Sequence, residues 1–132
     1  MNVGRLDHTA VAVHDLDEAI ERYMRLFHLE LVDRQVAPDG TVEAAFLRIG
    51  DSMLELISPI LNDSGVGRFL ERRGEGLHHI AFAVDDISGA LLSLEQDGVE
   101  LIDRTPRAGV HGQIAFLRPQ SMRGVLVELV MH

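Results

Sequence analysis

Two histidines and two glutamates stand inside otherwise apolar segments, and they recur in the same order at nearly the same spacing in each half of the chain. They are His8 and Glu55 in the first half, His79 and Glu128 in the second. His8 lies in Leu6-Asp7-His8-Thr9-Ala10-Val11-Ala12-Val13, and His79 in Leu77-His78-His79-Ile80-Ala81-Phe82-Ala83-Val84. The glutamates are embedded in Met53-Leu54-Glu55-Leu56-Ile57 and Val125-Leu126-Val127-Glu128-Leu129-Val130. A carboxylate carried into an apolar strand has to be paired, protonated or bound to metal. Two imidazoles and two carboxylates together suit a divalent first-row cation, with one or two positions left open for water or substrate. Taken singly, each residue has a plainer reading: a strand histidine as a hydrogen-bonded structural group, a strand glutamate on the solvent side of an edge strand. Repetition of both in register favours a shared site over two separate structural roles.

Composition narrows the chemistry further. The chain has 132 residues, with 12 basic side chains against 21 acidic ones and a net charge of −9. Every basic residue is arginine, and there is no cysteine or tryptophan. The absence of lysine excludes Schiff-base catalysis and a P-loop lysine. The absence of cysteine excludes thiol nucleophiles, disulfides, iron–sulfur clusters and thiolate zinc sites. An acidic chain lacks the dense positive face that a nucleic-acid backbone requires, so no nucleic-acid partner is expected. No apolar run approaches the roughly 20 residues of a membrane span, and no basic segment followed by a long apolar one opens the chain. The expectation is a cytoplasmic globular domain with no membrane partner.

The elements that must position these residues form an internal repeat. Asp7-His8-Thr9-Ala10-Val11-Ala12-Val13-His14-Asp15 matches His78-His79-Ile80-Ala81-Phe82-Ala83-Val84-Asp85-Asp86 at a constant offset. Glu30-Leu31-Val32-Asp33-Arg34 then matches Glu100-Leu101-Ile102-Asp103-Arg104, and Ala45-Phe46-Leu47-Arg48 matches Ala115-Phe116-Leu117-Arg118. Leu54-Glu55-Leu56 meets Val127-Glu128-Leu129, and the order of all four blocks is kept.

Alternation predicts a strand over 6–13. A helix follows, with Asp15 or Asp17 as N-cap and Leu16, Ala19, Ile20, Tyr23 and Phe27 at helical spacing. Strands are expected over 29–36, 42–49 and 53–58, with Pro38-Asp39-Gly40 as a turn. The second half predicts a strand from Leu77, a helix over 86–96, and strands from Val99, over 113–118 and over 125–131. Ser64–Arg73 reads as a linking helix stopped by Gly74 and Gly76. The whole is expected to be one α+β domain over 1–132. It comprises two tandem βαβββ modules, about 4–60 and 76–132, joined by a helix at about 62–74. The small face of each first strand, Ala10 and Ala12 or Ala81 and Ala83, fits either a cavity or a tightly packed interface.

Among the remaining polar residues, His78 points opposite His79 in a regular strand. His14, His28 and His132 read as turn or surface residues, and His111 as a loop residue able to approach a ligand. Asp33/Arg34 and Asp103/Arg104 read as local ion pairs of little energetic weight. Glu43 shares strand parity with Ala45, and Gln113 is its repeat partner. Parity alone leaves open whether that face lines a cavity.

The duplication with His in the first strand and Glu in the last of each module resembles the vicinal oxygen chelate superfamily. Longer strings resemble its methylmalonyl-CoA epimerase family. They are Leu6-Asp7-His8, Arg73-Gly74-Glu75-Gly76-Leu77-His78-His79-Ile80-Ala81-Phe82, Thr105-Pro106-Arg107-Ala108-Gly109-Val110-His111-Gly112, and Gly124-Val125-Leu126-Val127-Glu128-Leu129-Val130. The resemblance implies a curved mixed sheet of paired modules around one divalent metal on His8, His79 and Glu128, with Glu55 at the fourth position. Cobalt is the first choice of ion, ahead of manganese, nickel, zinc or magnesium. Some members carry glutamine at the fourth position, so Glu55 adds a charge.

The resemblance also implies that Glu43 and Glu128 act as acid and base on opposite faces of an acyl-CoA substrate, and that the protein is a homodimer. Arg104, Arg107, Arg118 and Arg123 are available to the coenzyme phosphates. The competing readings are a glyoxalase-type isomerase or ring-cleaving dioxygenase of the same superfamily, and a binding module without catalysis.

Overall fold

The computed structural model describes residues 1–132 throughout. Its elements run β1 (Val3–Ala12), α1 (Leu16–Phe27), β2 (Glu30–Val36), β3 (Val42–Ile49), β4 (Ser52–Pro59), α2 (Gly65–Arg73), β5 (Gly76–Val84), α3 (Ile87–Gln96), β6 (Arg107–Gly109), β7 (Gly112–Leu117) and β8 (Val127–Met131), with a 3-10 turn at Pro119–Met122 before β8. This is an α+β fold. No helix is long and apolar enough to cross a membrane.

The chain forms two compact units, Thr9–His78 and Met1–His8 with His79–His132. β1 contributes to both: residues up to His8 belong with the second half of the sequence, and residues from Thr9 with the first.

In the Thr9–His78 unit the strand order is β2-β3-β4-β1. β3 is antiparallel to both β2 and β4. The Asp15 carboxylate accepts the Glu18 N–H at 3.0 Å and starts α1, and His28 ends it in the left-handed region at φ 57°. Leu16, Ala19 and Ile20 of α1 bury against Val13, Ala45, Leu47 and Leu56. Ser64 caps α2 by accepting from Gly67 N–H. Gly74, at φ 77°, closes the helix with its N–H on the Leu70 carbonyl.

In the other unit β1 neighbours β5, followed by β8, β7 and β6. β5 and β8 are parallel, whereas β7 is antiparallel to β8 and to β6. Asp86 caps α3 through Gly89 N–H. Ile87, Ala90 and Leu91 of that helix pack on Val84, Ala115, Leu117, Val127 and Leu129. Each fully buried aliphatic side chain of this kind is worth about 1.5–3 kcal/mol relative to exposure.

The strand expected from Val99 does not form. Leu101 makes an isolated bridge to Leu117, and pairing resumes only in the three residues of β6. Two residues explain the difference from β2. The Asp103 carboxylate takes the Phe116 N–H at 2.9 Å, a donor that a continuing strand would need. Pro106 brings no N–H of its own.

Gly112 begins β7 at φ 91°, and a Cβ there would lie 2.3 Å from the Met131 carbonyl oxygen. Gly112→Ala is therefore expected to destabilise the protein by about 1–3 kcal/mol or more. Gly4→Ala, with nothing within 4 Å of the added carbon, is expected to leave the urea midpoint nearly unchanged. Equal midpoints for the two variants would contradict this account of the β6–β7 hairpin.

Candidate metal centre

Strand register brings three of the sequence-selected residues together within the unit that holds both histidines. In the parallel β5–β8 ladder Glu128 sits opposite Ala81, and across β7–β8 it sits opposite Phe116. His79 precedes Ala81 by two residues and so shares its face. The methyl of Ala81 leaves room beside Glu128, and the Glu128 carboxylate turns towards the imidazoles. His8 Nε2 lies 3.1 Å from Glu128 Oε1 and 3.2 Å from His79 Nε2. His79 Nε2 is 3.9 Å from the same Glu128 oxygen. The two imidazoles meet edge to face, and His79 rests edge to face on Phe116. His8, His79 and Glu128 are all buried.

His8 is oriented from behind. Its Nδ1 lies 2.7 Å from Asp7 Oδ2, so the imidazole donates Nδ1–H to the carboxylate, and Nε2 faces Glu128 and His79. Asp7 Oδ1 also accepts from Arg5 Nη2 at 3.0 Å and from His132 Nε2 at 2.6 Å. Burial opposes ionisation of Asp7. Hydrogen bonds from His8 and His132 outweigh it and hold the carboxyl well below the usual carboxylate range.

These donors fit a metal. With Nδ1–H committed to Asp7, three electron-rich atoms converge out of water: His8 Nε2, His79 Nε2 and a Glu128 oxygen. A proton on His79 Nε2 can bridge to one partner at a time, whereas a divalent cation satisfies all three. Nitrogen and oxygen ligands of one such ion lie about 2.0–2.2 Å from it and so about 3–3.5 Å from one another. Two of the three separations, 3.1 and 3.2 Å, have that spacing, and the third, His79 Nε2 to Glu128 Oε1, is longer at 3.9 Å.

The other two selected glutamates belong to the Thr9–His78 unit. Glu55 is buried in β4 opposite Phe46. Glu43 pairs with Ser58 in the same ladder, which puts it on the opposite face from Glu55. That is the face of Ala45 and Leu56, packed on α1, which resolves what parity left open. Arg34 Nε donates to Glu43 Oε2 at 3.0 Å, and Arg34 Nη1 donates to Asp17 Oδ1 at 2.6 Å. Hydrogen bonds to Glu43 and Asp17 hold the Arg34 guanidinium firmly protonated.

Several sequence expectations are corrected. The Arg34 side chain bonds Glu43 and Asp17, while the Asp33 carboxylate takes the Arg34 backbone N–H and the Gln35 amide. Asp103 pairs with Arg107 rather than Arg104, and Arg104 lies 4.0 Å from Glu95. His132 is exposed, as expected, and also donates from Nε2 to Asp7 Oδ1. The alanines beside the two histidines, Ala10, Ala12, Ala81 and Ala83, are all buried. His78 turns away from the cluster, as expected, and packs its ring on Phe69.

The sequence pattern of the glyoxalase/bleomycin resistance protein/dioxygenase superfamily matches residues 7–116. An ethylmalonyl-CoA/methylmalonyl-CoA epimerase of Cereibacter sphaeroides is 35% identical over 130 residues, 96% of this chain and 97% of that protein. The mitochondrial methylmalonyl-CoA epimerase of Bos taurus is 35% identical over 97% of this chain and 74% of its own length. Among solved structures, a Streptomyces coelicolor methylmalonyl-CoA epimerase variant in complex with 2-nitronate-propionyl-CoA superposes with a TM-score of 0.95. It shares 37% identity, and the match covers 98% of this chain and 95% of that one.

Proposed function

The chain belongs to the glyoxalase/bleomycin resistance protein/dioxygenase superfamily and, within it, to the methylmalonyl-CoA epimerase family, and from that premise we propose that it interconverts (2R)- and (2S)-methylmalonyl-CoA. The carrying observation is the buried convergence of His8 Nε2, His79 Nε2 and Glu128 Oε1. Epimerisation requires removal of the proton on the carbon α to the thioester and return of a proton to the opposite face. Two bases are needed, one protonated whenever the other is not.

His8, His79, Glu128 and Glu55 are the proposed metal ligands. Of these, His8, Glu55 and His79 each offer a buried ligand atom of a kind that holds metal ions. A divalent cation bound there supplies Lewis-acid stabilisation of the negative charge that develops on the thioester oxygen. The mixed imidazole and carboxylate donors suit a mid-series ion, and cobalt is the proposed choice.

Glu128 takes the C2 proton from one face, and the protonated carboxyl of Glu43 delivers one to the other. The roles reverse in the opposite direction. Support for Glu43 comes from its matching the acid/base position of the family; its carboxylate lies with Arg34 and Asp17 on the helix-covered face of β3, opposite that of Glu55, and has to leave it to reach substrate. Arg34 fixes the orientation of that carboxylate through Nε and Nη2, and it must release Glu43 for the carboxylate to accept a proton from substrate. We also propose a homodimer, in which a second copy covers an exposed sheet edge. A monomeric mass at micromolar concentration overturns that assembly.

The test is proton exchange in heavy water. Cobalt-loaded protein is expected to introduce one deuterium at C2 of methylmalonyl-CoA and to produce both epimers; absence of exchange overturns the epimerase reading. Glu43→Gln is expected to slow exchange by about 10²-fold or more. Full activity in that variant would remove Glu43 from the mechanism while leaving the metal site in place.

A further inference from the structure

Asp7 occupies the position that the repeat gives to His78 in the second half. Its carboxylate is 2% exposed and lies on the Nδ1 side of the His8 ring, away from the Nε2 that faces Glu128 and His79. A buried anion is costly without donors, and Asp7 has three. His8 Nδ1 is 2.7 Å from one oxygen. Arg5 Nη2 and His132 Nε2 both reach the other, at 3.0 and 2.6 Å.

The two oxygens thus do different things. Oδ1 is anchored by a cation and by a residue 125 positions away in sequence. Oδ2 is held at a fixed place for the His8 ring. His132 is in turn backed by His111, whose ring lies tilted 30° against it with centroids 6.4 Å apart. At the duplicated position His78 packs its ring on Phe69, 4.9 Å between centroids. The residue that precedes each histidine thus differs in kind between the halves, aspartate before His8 and histidine before His79.

We propose that Asp7, anchored by His132 and Arg5, is the positioning residue that fixes the tautomer and ring orientation of His8, with the Nε2 lone pair aimed into the donor cluster. An ionised carboxylate accepts hydrogen bonds only, so a neutral ring that bonds to Asp7 through Nδ1 carries its one proton there and keeps Nε2 bare. Groups that hold a ligand imidazole in this way typically contribute 10–100-fold to metal affinity. His132 acts at one remove: without its N–H the Oδ1 end of Asp7 loses a donor, and the carboxylate can rotate away from His8. The inference rests on the reading of His8 as a metal ligand for its consequence, but the tautomer itself belongs to the metal-free protein.

The experiment has two readouts on wild type, Asp7→Asn, His132→Ala and His132→Gln. The first is the 15N spectrum of the His8 ring in metal-free protein, taken above the pH range in which imidazole is protonated. Wild type is expected to show Nδ1 protonated and Nε2 bare. Asp7→Asn is expected to lose that preference, because an amide turned with oxygen to His8 would face Arg5 and His132 with its own N–H groups.

The second readout is cobalt affinity by chelator competition. It is expected to fall about 10–100-fold in Asp7→Asn and several-fold in His132→Ala, with His132→Gln, which restores an N–H donor, recovering most of the loss. Should Asp7→Asn fail to fold, the His132 pair decides. An Nε2–H tautomer in wild type overturns the proposal, as does a His8 spectrum unchanged in Asp7→Asn and His132→Ala together with affinities within twofold. If wild type binds no cobalt, the metal reading above fails, while the spectra still decide whether Asp7 sets the His8 tautomer.

Discussion

Glu128→Gln is expected to reduce deuterium exchange at C2 of methylmalonyl-CoA by about 10³-fold or more. Positioned acid/base groups contribute about 10²–10⁴-fold, and here the same substitution also weakens a metal ligand. The amide matches the carboxylate in shape, so packing between Ala81 and Phe116 is kept. What changes is chemical: the amide takes up no proton from substrate and offers a weaker oxygen donor to the ion. The metal-free variant should unfold at the same urea concentration as wild type or higher, since a buried charge beside His8 has been removed. Exchange within tenfold of wild type would contradict the role given to Glu128.

His79→Ala is expected to cost on the order of 10²–10³ in metal affinity. A four-ligand structural zinc site is bound by about 10–16 kcal/mol, so one ligand carries roughly a quarter of that. Part of the loss is redistribution, because His8 Nε2 and Glu128 Oε1 remain 3.1 Å apart and still offer a partial site. The measurement is metal content after dialysis against a chelator of graded strength, with exchange at C2 followed in parallel. Metal retention equal to wild type would place the ion elsewhere. Ala at this position also removes the edge-to-face contact with Phe116, so a lower urea midpoint is expected and is not by itself informative about metal.

Much of this was readable from residue order because it is local. β3 falls at Val42–Ile49, as alternation predicts, and Asp15, Ser64 and Asp86 each cap the helix that their position announces. The matched spacing of His8, His79 and Glu128 was legible because duplication copied it, and parity on neighbouring strands then determines which faces meet. Asp7 and His132 were not legible in that way. Their hydrogen bond joins residues at opposite ends of the chain, and no periodicity encodes such a contact. The signal that was present is the break in the repeat, an aspartate beside His8 where the other copy has His78. The absent strand after Val99 has a similar origin: the block with Asp103 and Arg104 matches its counterpart in type, but a single side chain reaching Phe116 N–H changes what the backbone can do. Glu43 shows the limit of parity, which identifies shared faces without saying which face a helix will cover.

The division of β1 between two units bears on the order of events during synthesis. Thr9–His78 is one unbroken stretch of chain, and domains emerging from the ribosome generally fold as units, the earlier first. The segment Met1–His8 belongs with residues 79–132, so Asp7 and His8 leave the ribosome well before the residues of that stretch that they bond. The donor cluster is therefore assembled only once β8 has brought Glu128 and the chain beyond it His132. A nascent chain halted midway holds one histidine without its anchored carboxylate, and so a poor claim on any ion in the cell.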